Sequence, residues 1–115
     1  MIDLVEIKRI YIYKGRSDLR MSINGLSRLA QELVPLTEMK NTLFLFYGRS
    51  KKNIKILELD NDGWWIYQKK LFAGKYDFPN EEITDISKEE LKLLLEGLSI
   101  KAYREHKNGR ITVNY

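Results

Sequence analysis

The sequence predicts an α+β fold: a single domain with a largely antiparallel sheet, a central three-stranded meander and two main helices. Three observations carry that expectation. Apolar residues recur at helical steps from Leu19 to Leu33 and again from Leu91 to Leu98, and short runs rich in β-branched and aromatic residues fill the middle of the chain. Asp62-Gly63 separates two of those runs at hairpin spacing. A chain of 115 residues buries roughly two thirds of the surface that its unfolded form exposes, so residues 1–115 are read as one domain around one core.

The first strand is expected over Ile7 to Tyr13 and is ended by Lys14-Gly15. Leu19, Ile23, Leu26, Ala30 and Leu33 then form one apolar stripe of a helix, with Ser17 or Asp18 available as N-cap and Pro35 as the stop. Gly25 is out of place inside that stripe, because glycine in a helix costs about 1 kcal/mol relative to alanine. Either another backbone approaches closely there, or the helix starts later, at Ser22 or Ser27. Leu43 to Tyr47 is a continuous apolar run and reads as a strand buried on both faces.

After the polar loop Gly48 to Asn53, a strand is expected over Ile54 to Leu59 and its antiparallel partner over Trp64 to Lys69. Asn61-Asp62-Gly63 closes this hairpin, since Asp-Gly tolerates the positive backbone angles of a tight turn. Alternation puts Trp64, Ile66 and Gln68 on one face and Trp65, Tyr67 and Lys69 on the other, so one tryptophan goes to the core and the other outward. The second helix follows a capping box, Ser87-x-x-Glu90, with Ile86 and Leu91 as staple, a stripe of Leu91, Leu94, Leu95 and Leu98, and Gly97 as C-terminal cap. Last, Ile100 to Lys107 and Arg110 to Tyr115 flank Asn108-Gly109, so residues 99–115 are expected to form a C-terminal hairpin.

Charge is distributed unevenly. The net value is only +4, yet between residues 40 and 75 Lys40, Arg49, Lys51, Lys52, Lys55, Lys69, Lys70 and Lys75 face only Glu58, Asp60 and Asp62. Between 77 and 96 the balance reverses, with Asp77, Glu81, Glu82, Asp85, Glu89, Glu90 and Glu96 against Lys88 and Lys92. A concentrated basic region attracts polyanions in a salt-dependent way. There is no cysteine, which excludes disulfides and thiolate metal sites and favours a cytoplasmic setting. The N-terminus carries acids where a signal peptide needs a basic start, and no apolar run approaches the ~20 residues of a membrane span, so a soluble, unprocessed chain without membrane contact is expected.

Nothing in the sequence supports catalysis. His106 is the single histidine and stands among Arg104, Glu105 and Lys107 with no serine, cysteine or second histidine arranged around it. Asp60 and Asp62 are better explained as turn formers than as metal ligands, and neither Lys14-Gly15-Arg16-Ser17 nor Tyr47-Gly48-Arg49-Ser50 is a phosphate loop. No cofactor is implied. Binding fits better: antiparallel pairing is expected to gather Arg49, Lys51, Lys52, Lys55, Lys69, Lys70 and Lys75 into one hairpin patch with tryptophan or tyrosine among them, which suits phosphate neutralisation and base stacking. The competing reading is that the aromatics pack the core while the lysines keep a sheet edge soluble. Arg16 and Arg20 form a second candidate anion contact, although Asp18 beside them also reads as a helix cap. An RNA platform built on Phe44, Phe46 and Tyr47 lacks the glycine pattern expected around it.

The ordered set of motifs resembles one family. Gly15-x-x-Asp18-Leu19-Arg20-x-Ser22-Ile23-Asn24-Gly25-Leu26, Leu43-Phe44-x-Phe46, Arg49, Asn53-Ile54-Lys55-x-Leu57 and Asp62-Gly63-Trp64 belong to it, as do Tyr67-x-Lys69-Lys70-Leu71, Gly74-Lys75-Tyr76-x-Phe78-Pro79 and Leu91-x-x-Leu94-Leu95-x-Gly97. Over residues 10–98 the chain resembles the second-reading-frame accessory proteins (TnpB-type) of the insertion sequence sixty-six family. That resemblance implies a bacterial mobile element, a separate transposase as partner, contact with element DNA or with the transposase, and no enzymatic activity of its own. Two positions depart from the family pattern. Met21 stands where a basic residue is usual, which weakens an anion site at the start of the first helix, and Lys70 replaces an arginine, keeping charge but losing a bidentate fork.

Overall fold

The computed structural model describes residues 4–13, 20–80 and 84–107. Its elements are β1 (Arg9–Ile12), α1 (Ile23–Leu33), a 3₁₀ turn (Leu36–Glu38), β2 (Thr42–Tyr47), β3 (Asn53–Leu59), β4 (Trp64–Lys70), β5 (Asp85–Ile86), α2 (Lys88–Leu95) and α3 (Ile100–Lys107). The strands form one sheet in the order β4-β3-β2-β1-β5. Pairing is antiparallel except between β1 and β2, which run parallel because α1 carries the chain back to the starting end. The α+β class and the β2-β3-β4 meander are as expected from sequence.

The sheet is covered on both faces. Ile10, Ile12, Leu43, Leu45, Ile54 and Ile56 point to the side of α2 and α3, where Leu91, Leu94, Ile100, Tyr76 and Phe78 close the core. Phe44, Phe46 and Leu57 point the other way, beneath Leu26 and Ala30 of α1 and Val34 just after it. Leu43 through Phe46 are all at 0% exposure, so the apolar run is a strand with no solvent side. This placement also removes any RNA platform, since Phe44 and Phe46 lie under a helix. Stacking of Tyr11 on Phe44 and of Tyr13 near Phe46 extends the α1-side core, with ring centroids 5.8 and 5.6 Å apart.

α1 begins late. Ser22 is its N-cap and its hydroxyl accepts from the Gly25 N–H at 3.3 Å, so of the expected starts it is Ser22, and Ser17 and Asp18 lie outside the described residues. A Cβ at Gly25 would meet the Met21 side chain 2.9 Å away, and not a neighbouring backbone. The helix stops at Leu33 because Val34, ahead of Pro35, is extended (φ −143°, ψ 133°). At the β3–β4 turn the residues Asp60 to Gly63 form a four-residue loop in which the Asp60 N–H donates to the Gly63 carbonyl at 2.7 Å. Neither Asp62 nor Gly63 takes a positive φ. A loop of that length does not need the left-handed pair that a two-residue turn demands.

α2 is built as its sequence dictates. The Ser87 hydroxyl accepts from the Glu90 N–H at 3.1 Å and the Glu90 carboxylate accepts from the Ser87 N–H at 2.9 Å, completing the capping box. Gly97 (φ +83°) ends the helix in a Schellman turn, with the Gly97 N–H on the Leu94 carbonyl and the Leu98 N–H on that of Leu93.

Two elements differ from expectation: the short strand β5, which the sequence did not indicate, and the C-terminal element. Ile100–Lys107 is the helix α3 and not the first strand of a hairpin, while Asn108-Gly109 and the residues after them lie outside the described residues. Local pattern favoured a strand, but docking on α2 decides the outcome. Ser99 caps the new helix by accepting from the Ala102 N–H, Ile100 is buried, and one turn later Arg104 donates to Glu90 and, at 3.0 Å, to the Asp85 carbonyl. In a helix Ile100 and Arg104 stand one turn apart on the same face, close enough for both to reach α2.

Glu90 is therefore both a helix cap and half of an internal ion pair, 5% exposed. Burial pushes its carboxyl up, but the hydrogen bonds from Arg104 and Ser87 and the guanidinium charge outweigh that and hold it below the ordinary glutamate value. A depressed folded value means the stabilisation is fully present above the unfolded value, about 4.3, and is lost as pH falls through the folded one. Glu90→Gln keeps the cap and removes the charge, so its urea midpoint should drop at neutral pH and lose that part of its acid dependence. A variant with unchanged midpoint and unchanged acid profile would contradict the pairing. On the other face, Phe44→Ala should cost about 3–5 kcal/mol in chemical denaturation, as expected for deleting an aromatic ring from a closed core.

Candidate nucleic-acid interface

Strand register decides where the candidate cations go. Asn53 pairs with Lys70 and Ile54 with Lys69 at the open end of the β3–β4 hairpin. At the same end of the sheet β2 finishes beside β3, with Tyr47 opposite Ile54. The loop after β2 turns tightly, the Lys51 N–H donating to the Gly48 carbonyl at 3.1 Å and Lys51 adopting φ 57°. Two further backbone bonds join this loop to the segment after β4: the Leu71 N–H donates to the Lys52 carbonyl at 2.9 Å and the Tyr76 N–H to that of Lys51 at 2.8 Å. Arg49, Lys51, Lys52, Lys69, Lys70 and Lys75 are thereby drawn to one end of the sheet, and all but the half-buried Lys52 are exposed.

Lys55 belongs to this end but is partly committed. It lies on the α1 side of β3, half-buried, and its Nζ donates to the Met21 carbonyl at 3.5 Å. Cross-strand partners share a face, so Lys70 lies with Asn53 and Lys55 on the α1 side while Lys69 lies with Ile54 on the α2 side. The cations thus crown an end of the sheet and do not line one face of the hairpin. Arg20 is exposed just before α1, close to the Met21 carbonyl that Lys55 reaches, and Arg16 lies outside the described residues.

The tryptophans are elsewhere. Trp64 pairs with Leu59 at the turn, six residues along β4 from Lys70 and so about 20 Å away. Trp64 packs against the α1-side core, whereas Trp65 is 55% exposed and its indole N–H donates to Asp60 at 2.9 Å. That bond, joined by the Asn61 N–H, holds the Asp60 carboxyl below its ordinary value. Glu58 accepts from the Tyr67 hydroxyl at 2.9 Å, and burial together with this bond pushes the Tyr67 phenol up to about 12. Glu58, Asp60 and Asp62 all sit toward the turn, so the hairpin is acidic and tryptophan-bearing at one end and basic at the other. The sequence grouped the two because they are adjacent in the chain; register separates them.

Two residues of the basic end escape a reading of local pattern. Lys101, at the start of α3, lines a cavity of about 530 Å³ together with Lys51 and the stacked rings of Tyr47 and Phe78, whose centroids are 3.8 Å apart. Finding it required knowing that residues 100–107 are helical. Phe72 is fully exposed between Lys70 and Lys75; a lone phenylalanine after a leucine reads as core in sequence. No group of three His, Asp or Glu side chains among the described residues is arranged to hold a metal ion, and no described helix is long and apolar enough to cross a membrane.

Fold and surface together define a small α+β domain with a group of lysines and Arg49 at one end of its sheet. The chain belongs to the family of IS66 Orf2-like proteins, which matches residues 8–105. Membership ties it to insertion-sequence transposition in an accessory role. It is also similar to the uncharacterized protein y4hO of Sinorhizobium fredii (strain NBRC 101917 / NGR234), 32% identical over 92 residues that cover 78% of this chain and 80% of the relative. No solved structure matches the chain.

Proposed function

We propose that this protein is a non-catalytic accessory factor of its insertion sequence that holds element DNA at the basic end of the sheet. The observation that carries this reading is the register-driven gathering of cations from three segments, the β2–β3 loop, the end of β4 and the segment to Lys75, onto one solvent-facing end. Neutralising phosphates with such a cluster releases counterions, which supplies affinity without base recognition. Arg49, Lys51, Lys52, Lys69, Lys70 and Lys75 are the contacts, with Lys55 and Arg20 at the margin beside α1. A bacterial cytoplasm, where element DNA and its transposase meet, is the setting of this role.

A second reading, docking on the transposase of the same element, is favoured by one observation. An apolar cavity of about 320 Å³ opens between α2 and the hairpin, lined by Ile54, Ile56, Tyr67, Leu91 and Leu95. Glu90 cannot serve that contact, since it is spent inside the fold. Leu95, half-buried, is the α2 residue of this surface open to a partner.

Mobility-shift titration over a salt series tests the DNA reading. With six phosphate contacts the slope of log affinity against log salt is about −5.4, a loss on the order of 2,000-fold between 50 and 200 mM salt. Lys69→Glu with Lys70→Glu should weaken binding and flatten the slope, while Trp65→Ala should leave both unchanged. Absence of binding to duplex and single strand at low salt overturns the reading; retention of a transposase complex under those conditions, lost on Leu95→Asp, supports the docking alternative instead.

A further inference from the structure

The segment between Leu71 and Tyr76 is a short projection held at both ends. Consecutive carbonyls of Lys52 and Lys51 accept from the N–H groups of Leu71 and Tyr76, so residues 72–75 bulge outward from a fixed base. Leu71 and Tyr76 turn inward at that base, Tyr76 to 2% exposure and Leu71 against the α2-side core. Gly74 takes φ +77° with open space around it, which lets the projection reverse within four residues.

The side chain displayed there is Phe72, whose exposure of 107% is the highest of any large apolar residue described. An aromatic ring so placed gains nothing for the fold. Its surroundings are cationic, with Lys69 and Lys70 before it, Lys75 after it and Lys51 and Lys52 at the base of the projection. Apolar rings amid phosphate-binding cations stack on bases that are free of a duplex, because every base has a π face and the cations hold the flanking backbone. The pinned base matters as well, since a preorganised loop loses little freedom on binding.

From this we infer that Phe72 is a base-stacking residue, which gives the basic end a preference for single-stranded over duplex DNA. The inference rests on the DNA reading above and adds the form of DNA to it. Phosphate contacts from the lysines act on both forms, whereas the ring acts only where a base is unstacked.

Fluorescence anisotropy with a labelled oligothymidylate and with a duplex of matched length separates the two. Phe72→Ala should weaken single-strand binding roughly tenfold or more and leave duplex binding and its salt slope unchanged, and Phe72→Trp should restore the single strand. Circular dichroism of Phe72→Ala should match the parent, as the ring supports no packing. Equal affinity of Phe72→Ala and parent for the single strand overturns the stacking role, as does an equal loss on both forms; in either case continued weakening by Lys69→Glu with Lys70→Glu leaves the DNA reading standing. Failure of the parent protein to bind either form overturns both.

Discussion

β2 has no solvent-facing side, and the rest of the molecule follows from that. Leu43, Phe44, Leu45 and Phe46 are closed off on both faces, so the sheet must carry a helix on each side, α1 over the phenylalanines and α2 with α3 over the leucines. Each covering element is anchored by its own device. α1 is tied to the sheet by the Tyr13 hydroxyl on Glu32 at 2.7 Å, and α3 is tied to α2 by Arg104 on Glu90. Only the Glu90 end of this pair is buried, and its carboxylate is satisfied by the capping box and by Arg104, whose partly exposed guanidinium also donates to the Asp85 carbonyl.

A sheet covered on both faces leaves charge only at its ends and at the margins of its edge strands. That constraint, more than any local motif, concentrates the lysines. β3 and β4 place Asn53, Ile54, Lys69 and Lys70 at one end and Leu59, Trp64 and the acidic turn at the other, so the hairpin is electrically polarised along its length. The loop carbonyls of Lys51 and Lys52 then fasten the following segment to the basic end. Positive charge and an exposed ring occur together there because the pinned segment carries both.

Much of this is legible in sequence. The capping box at Ser87 and Glu90, the glycine stop at Gly97, the doubly buried run that starts at Leu43 and the division of the tryptophans into one core and one outward are local signals with local causes, and each appears as expected. What depended on tertiary contact was not. β5 is two residues long and exists only as a partner for β1, and α3 is fixed by burial of Ile100 and by Glu90, fourteen residues before Arg104. The seven candidate cations of the hairpin region were identifiable by type, but their arrangement at an end needed the register, and Phe72 needed the two bonds that hold its loop out. Family membership was legible as an ordered set of weak motifs, and the match over residues 8–105 extends it at both ends.

The central claim is positional: DNA meets the basic end of the sheet and not its acidic turn. Amide chemical-shift mapping during titration with a short single strand tests this directly. The account predicts shifts confined to residues 49–55, 69–76 and the neighbourhood of Lys101, with Asp60 to Trp65 unmoved. Shifts centred on the turn or on the exposed surface of α2, with the basic end silent, would contradict it.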